Sequence, residues 1–319
     1  VKPLNDTTAI LWDTTGSIKV NLSCKAYDLT SLPCGSLVVL EGYLNEQYVC
    51  VESIKVVHKP RREELACIDK VLRDPLEYAL KYHIFARSPE ITRTVKTYSF
   101  IVKYMRSFLD EAGFLELPTV IIGHTSDPGL RGALKVSVTL YGGSFELQSS
   151  LIMYKQLYAS IFDRIYYVAR NIRLEPEENA LTGRHLVEFT QVDVECADSS
   201  NEDLMKLGEK VLYSAIRRLM NEHQELLDSK HIERLEREIV KPPYPRLTYE
   251  EAVKEAWALG IDVKYGQELS FEAESAIPRK YGTPVWVEGF PSESRGFYLI
   301  EDPEKPGYNV DYNLLLPGH

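Results

Sequence analysis

Two strand-like runs, the first β-rich and the second alternating apolar and polar, separated by a charged tip, constrain this chain more than any other feature. They run from Ile165 to about Glu175 and from Leu186 to Val194, within YYVARNIRLEPEENALTGRHLVEFTQVDVE (Tyr166 to Glu195). Period-two alternation puts successive side chains on opposite faces of an extended chain. The intervening Pro176, Glu177, Glu178, Asn179 and Gly183 make a polar tip, so the pattern predicts a long β-hairpin. Arg173, Arg184, His185, Phe189, Asp193 and Glu195 all fall within it. Guanidinium groups grip phosphate oxygens as planar forks, an aromatic ring stacks on a purine, and carboxylates hold Mg2+ or an amino group. Such a mixture suits a nucleoside triphosphate site better than a core.

RNIRLE followed by GRHLVEFTQVDVE resembles motif 2 of the class II aminoacyl-tRNA synthetases, and EFTQVDVE is similar to the aspartate and asparagine branch of that family. The resemblance implies adenylation, in which a substrate carboxylate attacks the α-phosphate of ATP to give a mixed anhydride and pyrophosphate. It also implies roles. Arg173 would hold the α-phosphate, Arg184 and His185 the γ end, and Phe189 would stack on adenine, while Glu175 would orient nucleotide or acceptor. An ordinary hairpin histidine is the alternative for His185. Gln191 and Asp193 would lie beside the amino and carboxylate groups of the amino acid, and Ser126-Asp127-Pro128 would sit in a loop that closes over it. ATP and Mg2+ are the implied cofactors, with Glu195 and Asp311 as metal ligands. Asp311 is invoked because Asn313 stands where the family's YDLxLP segment carries an acidic residue, and Asp311 is expected on the same strand face.

Specificity is expected in SSLIMYKQ, Ser149 to Gln156. In members of the branch that take aspartate, a lysine in the corresponding segment binds the side-chain carboxylate, so Lys155 favours aspartate; a solvent-facing helix lysine is the alternative. An ammonium gains a charge-assisted bond from a carboxylate that a neutral amide does not offer. Aspartyl-tRNA synthetases usually carry Ser-Pro-Gln before that lysine segment, whereas this chain has Ser150-Leu151-Ile152. Archaeal asparagine synthetases related to asparaginyl-tRNA synthetase look similar here, which favours ammonia over tRNA as the acceptor. An aspartyl- or asparaginyl-tRNA synthetase and a noncatalytic paralogue are the competing readings.

The same resemblance extends over about residues 73 to 319. Thr92 to Glu111 reads as an amphipathic helix through Val95, Tyr98, Ile101, Val102, Met105 and Phe108, ended by Gly113. With GFLELPTVII it resembles motif 1, which pairs two subunits, so a homodimer is implied. Asn201 to Ser229 reads as one long helix capped by Ser200 or Asn201. Thr248 with Glu251, and Ser270, are read as caps of two more. Val285 to Val287 and Phe297 to Ile300 read as buried strands. Near the start, ILWDTTGSIKV and GSLVVLEGYL resemble strands two to four of an OB-fold, a module that binds single-stranded nucleic acid, with Trp12, Tyr43 and Tyr48 as candidate platform residues. No convincing first strand is apparent, so the module is read as a remnant.

The expected fold class is therefore α+β: an antiparallel sheet of the class II synthetase type flanked by helices, preceded by a small OB-like β domain. The expected boundaries are 1–58 for that domain, 59–75 for a connector and 76–319 for the catalytic domain. Motif 3, with its γ-phosphate arginine, is expected beyond His319, making the chain a fragment. A formal net charge of −10 argues against nonspecific nucleic-acid binding. Five widely spaced cysteines without a CxxC pair indicate neither a zinc site nor a disulfide framework. No apolar run reaches the ~20 residues that cross a bilayer, and no signal peptide pattern opens the chain, so a cytoplasmic protein with no membrane partner is expected.

Overall fold

The computed structural model describes residues 1–13, 16–21, 32–45, 48–60, 89–127, 133–176 and 185–317. Most of the expected connector and the hairpin tip, including Arg184, lie outside these, as do Pro128 and the side chain of Trp12. The chain divides into two compact units, Val1–Thr92 and Arg93–His319.

The first unit is a five-stranded sheet in the order β1-β2-β3-β5-β4, built from β1 (Lys2–Pro3), β2 (Thr8–Trp12), β3 (Ser17–Asn21), β4 (Leu37–Asn45) and β5 (Tyr48–His58). β2 and β3 form the expected hairpin, closed by the Asp13 N–H donating to the Gly16 carbonyl at 3.0 Å. β3 pairs with β5 in parallel, the crossover of a Greek-key barrel of OB type. A first strand is present after all, shortened to two residues. Val1 extends it towards β4, since Gly35 N–H donates to the Val1 carbonyl at 2.9 Å and the Val1 amino group donates to the Ser36 carbonyl at 3.0 Å. Inside, Ala9, Val20, Leu32 and Val51 form a dry core. The β4–β5 ladder shifts register between Glu41 and Gly42, and a side chain at Gly42 would collide with the Cys50 carbonyl. Glycine is thus required at this bulge by close backbone approach.

In the second unit, α1 (Pro89–Glu111) ends at Gly113, whose φ of +81° is the left-handed stop that glycine adopts without strain. Its buried stripe is Tyr104 and Leu109 with Phe100, Ile101, Met105 and Phe108, while Val95 and Tyr98 face outward. Among the described residues three small sheets, antiparallel and mixed, follow within the expected α+β architecture. The short β7 (Ile122–Gly123), β8 (Ser137–Leu140) and β9 (Gly143–Leu147) form one. The second joins β6 (Leu115–Glu116), in parallel, to the hairpin of β10 (Arg164–Ile172) and β11 (Glu188–Cys196). The third is β12 (Arg246–Thr248), β13 (Val285–Glu288) and β14 (Tyr312–Leu315), with a parallel β12–β13 pair. Between β9 and β10 lies α2 (Ile152–Ala159).

The expected helix from Asn201 to Ser229 is two helices. α3 (Asn201–Glu222) opens on a Ser200/Asp203 capping box and stops at His223; a 3-10 turn, Gln224–Leu226, intervenes, and Asp228 caps α4 (Ser229–Glu238). A second cap five residues after the break satisfies a fresh set of free N–H groups, which an uninterrupted helix would not need. α5 (Tyr249–Ala258) and α6 (Phe271–Tyr281) open on Thr248/Glu251 and on Ser270 as expected. Phe297 to Ile300, expected as a buried strand, is an exposed turn: Phe297 is 81% and Ile300 75% accessible. Gly296 and the prolines at 303 and 306 leave that apolar run no ladder to join.

At the start of α3, Arg246 donates to Glu202 at 2.6 Å and Lys206 lies 3.1 Å away. These two cations hold the Glu202 carboxyl down to about 2. A carboxylate whose folded pKa is depressed adds stability that is present above the unfolded value, roughly 4.3, and fades as pH falls through the folded one. Glu202→Gln should therefore lower the Tm near neutral pH, with the variant and wild-type melting curves converging as the pH is taken down through about 4.3 towards 2.

Candidate functional site

The β10–β11 register sorts the hairpin into two faces. Ile165 pairs with Glu195, Tyr167 with Asp193, Ala169 with Gln191 and Asn171 with Phe189, and directly opposed residues share a face. The alternate residues Tyr166, Val168, Val192 and Val194 pack with Leu109, Phe114 and Val211 beneath. One face is therefore apolar and anchored on the α1 and α3 helices, and the other carries nearly every polar residue of the expected site.

At one end of that face stands Lys155, from α2. Its Nζ lies 3.4 Å from Asp193 Oδ1 and 3.0 Å from Glu195 Oε1, with side-chain accessibilities of 15%, 11% and 29%. Lys155 is not a solvent-facing helix lysine. Burial alone would lower its pKa, but Asp193 and Glu195 outweigh burial and hold it above the ordinary lysine value. Tyr312 of β14 is pushed up to about 12, by burial first and then by the Glu195 charge. Gln191 accepts a hydrogen bond from the Asn171 amide. Among the described residues, Asp193 Oδ2, Asn171 Oδ1 and Tyr167 Oη on this face are buried without a hydrogen-bond partner.

Towards the other end, Arg173 follows β10. Its Nε donates to the Ser149 carbonyl at 3.0 Å, and its guanidinium lies 5.1 Å from the centre of the Phe189 ring. Fixing Nε sets the plane of the fork and leaves the Nη pair for an anion. Glu175 is half-buried, and its N–H donates to the Arg173 carbonyl at 3.0 Å. His185 is exposed.

Ser126 and Asp127 lie in the loop after β7, and both are buried. Ser126 Oγ lies 2.5 Å from Ser149 Oγ and accepts from the Ser149 N–H at 2.8 Å, while Ser126 N–H donates to Glu146 Oε2 at 2.7 Å. Ser149 therefore ties this segment to Arg173, a role not visible in sequence. Asp127 Oδ1 accepts from the Tyr298 hydroxyl at 3.4 Å.

Asp311 precedes β14 instead of sharing a strand face with Asn313. Its Oδ1 accepts from Phe290 N–H at 3.0 Å, and Oδ2 lies 2.7 Å from Arg295 Nε as an ion pair. Arg295 is itself buried over the Phe290 ring and donates to Glu268 at 2.9 Å. Glu195 and Asp311 thus face the cations Lys155 and Arg295. Among the described residues no group of three or more His, Cys, Asp or Glu side chains is placed to hold a metal. Cys34, Cys50 and Cys196 are free thiols, and no helix among the described residues is long and apolar enough to cross a membrane.

Residues 75–319 match the family described as tRNA synthetases class II (D, K and N). The asparagine–tRNA ligase of Thermoplasma acidophilum is 27% identical over 301 residues, covering 91% of this chain and 68% of the relative. The aspartate–tRNA(Asp/Asn) ligase of Methanocaldococcus jannaschii is 32% identical over 232 residues, 72% of this chain and 51% of the relative. Against several other curated relatives the chain spans little more than half their length, 54% and 57% in two cases. The crystal structure of asparaginyl-tRNA synthetase from Pyrococcus horikoshii superposes with a TM-score of 0.79 at 21% identity, over 99% of this chain and 74% of that one. With a matching family model over three quarters of its length, a hairpin of the expected register and an N-terminal OB-type sheet, this chain belongs to the class II tRNA synthetases of the D, K and N group.

Proposed function

We propose that the polar face of the β10–β11 hairpin binds aspartate and ATP end to end and joins them as an aminoacyl-adenylate. The observation that carries this reading is the order of groups along the strands. The Lys155–Asp193–Glu195 cluster lies at one end and Arg173 with Phe189 at the other. Asp193 and Phe189 are four residues apart, about 13 Å at ~3.3 Å per strand residue, a span suited to an amino acid followed by a nucleotide.

Asp193 Oδ2 takes the α-ammonium, Lys155 the side-chain carboxylate and Arg173 the α-phosphate. A carboxylate oxygen of the substrate attacks the α-phosphorus, the bond to the bridging oxygen breaks, and pyrophosphate leaves with its electron pair. The protein's contribution is alignment of the two reactants and neutralisation of the charge that grows on the phosphate oxygens. Arg184 and His185 serve the γ end in this reading, and Gln191 borders the amino acid. ATP and Mg2+ are the cofactors of class II synthetases; the metal's ligands are not assembled from Glu195 and Asp311 as they stand, and no step is assigned to it.

Two acceptors fit. Each takes a different reacting carboxylate. The tRNA, favoured by the five-stranded N-terminal unit, takes the α-carboxyl adenylate formed with Lys155 on the side chain. Ammonia, supported by the Ser150-Leu151-Ile152 segment, gives asparagine when the β-carboxylate is the one adenylated and the α-carboxylate lies against Lys155. The setting is cytoplasmic, with boundaries near 58 and 75, and two copies pair through the outward Val95 and Tyr98 of α1 and the exposed Leu115. The full-length protein, incubated with aspartate, ATP and Mg2+, is expected to support pyrophosphate exchange. Adding ammonia or tRNA then separates free asparagine from charged tRNA as products. An exchange that requires asparagine and ignores aspartate would sink the aspartate assignment.

A further inference from the structure

Tyr167 is a residue that neither the motif nor the charge pattern singles out. It sits mid-strand in β10, 1% accessible, with its ring packed among Leu151, Ile165, Ala169 and Tyr154. By position it is an ordinary core aromatic. Its hydroxyl is not ordinary, because among the described residues it has no hydrogen-bond partner. A buried hydroxyl left unpaired is unfavourable, so a fold that keeps one either wastes that energy or recovers it from something bound.

The surroundings say what would be bound. Tyr167 is the direct cross-strand partner of Asp193, which puts their Cβ atoms about 4.5–5.5 Å apart on one face. Burial, then the phenol of Tyr158 and the carboxylate of Glu195, keep its pKa above the usual phenol value, so the hydroxyl retains its proton throughout the physiological range. Lys155 bridges Asp193 and Glu195 on the same face. Its ammonium has three N–H donors, and the two carboxylates engage two of them. This face therefore offers an O–H that needs an acceptor, beside the Lys155 ammonium, and one carboxylate oxygen, Asp193 Oδ2, that needs a donor. A zwitterionic amino acid with an oxygen-bearing side chain supplies both.

We propose that Tyr167 is a specificity-determining residue whose hydroxyl donates to the same side-chain carboxylate of the bound amino acid that Lys155 holds, while Asp193 Oδ2 accepts from its ammonium. The proposal rests on the aspartate reading above and adds a second, uncharged donor to it. A lysine alone attracts any nearby anion. A phenol fixed by its packing under α2 also sets where the acceptor oxygen must sit, which makes the chain length of the substrate part of the selection.

The test is Tyr167→Phe, which keeps the ring and its packing and removes only the hydroxyl. Binding of L-aspartate to the full-length protein is measured by calorimetric titration, with ATP titrated in parallel and the Tm recorded without ligand. Loss of a hydrogen bond to a charged group is expected to raise the aspartate Kd about tenfold to hundredfold, with ATP binding unchanged. Without ligand the Tm should stay level or rise, because the unpaired hydroxyl has gone. This opposition of sign, a weaker complex on an equal or firmer fold, is what a purely structural tyrosine does not produce. Aspartate binding equal to wild type overturns the inference and leaves the aspartate reading standing. A weaker complex together with a lower ligand-free Tm also overturns it, since the hydroxyl would then be holding the pocket together. Failure of the wild-type protein to bind aspartate removes the reading itself and the inference with it.

Discussion

Arg173→Ala is expected to lower the turnover of aspartate-dependent pyrophosphate exchange by about 10²–10³-fold, the scale seen when one preorganised donor to a developing negative charge is deleted. The loss should fall on kcat, with aspartate affinity nearly intact, since Lys155 and Asp193 stand at the other end of the hairpin face. Arg173→Lys should recover little of it. The wild-type guanidinium is braced through Nε on the Ser149 carbonyl and lies over Phe189, and a lysine has neither the planar fork nor a spare donor fixed in that plane. Steady-state kinetics of both variants decide the matter, and ordinary turnover in Arg173→Ala would remove this residue from the reaction.

The second large effect belongs to Lys155. Lys155→Ala should raise the KM for aspartate at least tenfold, in line with loss of a charge-assisted bond worth ~1.5–3 kcal/mol. It should also lower the Tm, because Asp193 and Glu195 would face each other with no cation between them. Breaking a fully buried pair costs about 3–5 kcal/mol; the residual solvent access of Glu195 makes the cost here smaller. The two consequences are separable. Adding Glu195→Gln to Lys155→Ala removes the repulsion and should restore much of the Tm, while aspartate binding stays weak. Unchanged aspartate KM in the single variant would contradict the role given to Lys155. A Tm that the second substitution fails to lift would show that the damage lies in packing instead.

Much of this arrangement was legible in the sequence because it rests on local rules. A β-rich run from Ile165, a polar tip and the alternation from Leu186 to Val194 together predicted the hairpin, and three side chains that can accept from free helix N–H groups, Ser200, Thr248 and Ser270, marked real helix starts. The errors arose where a local pattern has two outcomes. His223 to Ser229 contains no glycine or proline, so the run read as continuous helix, although Asp228 was available as a cap. Phe297 to Ile300 is apolar enough for a buried strand, but strands need partners, and none of the described strands lies beside it. The third kind of omission was deeper. Tyr167, Asn171 and Ser149 carry no charge, and the segments they fall in assigned them no role; their significance comes from register and tertiary contact: a cross-strand pairing, a hydrogen bond to Gln191 and a carbonyl turned to Arg173. No periodicity in a single sequence encodes those.

The two-faced hairpin also bears on how a gene for such a protein can change. Because side chains alternate strictly along β11, deleting or inserting one residue within Glu188–Cys196 would exchange the faces beyond that point. Gln191, Asp193 and Glu195 would turn into the apolar layer of Leu109 and Val211, and Val192 and Val194 would turn out towards Lys155. Point substitutions can drift through this strand one side chain at a time, but a single-codon length change forfeits binding and packing together. Lineages of this hairpin should therefore record their history in replaced letters, with gaps in an alignment pushed out of both strands.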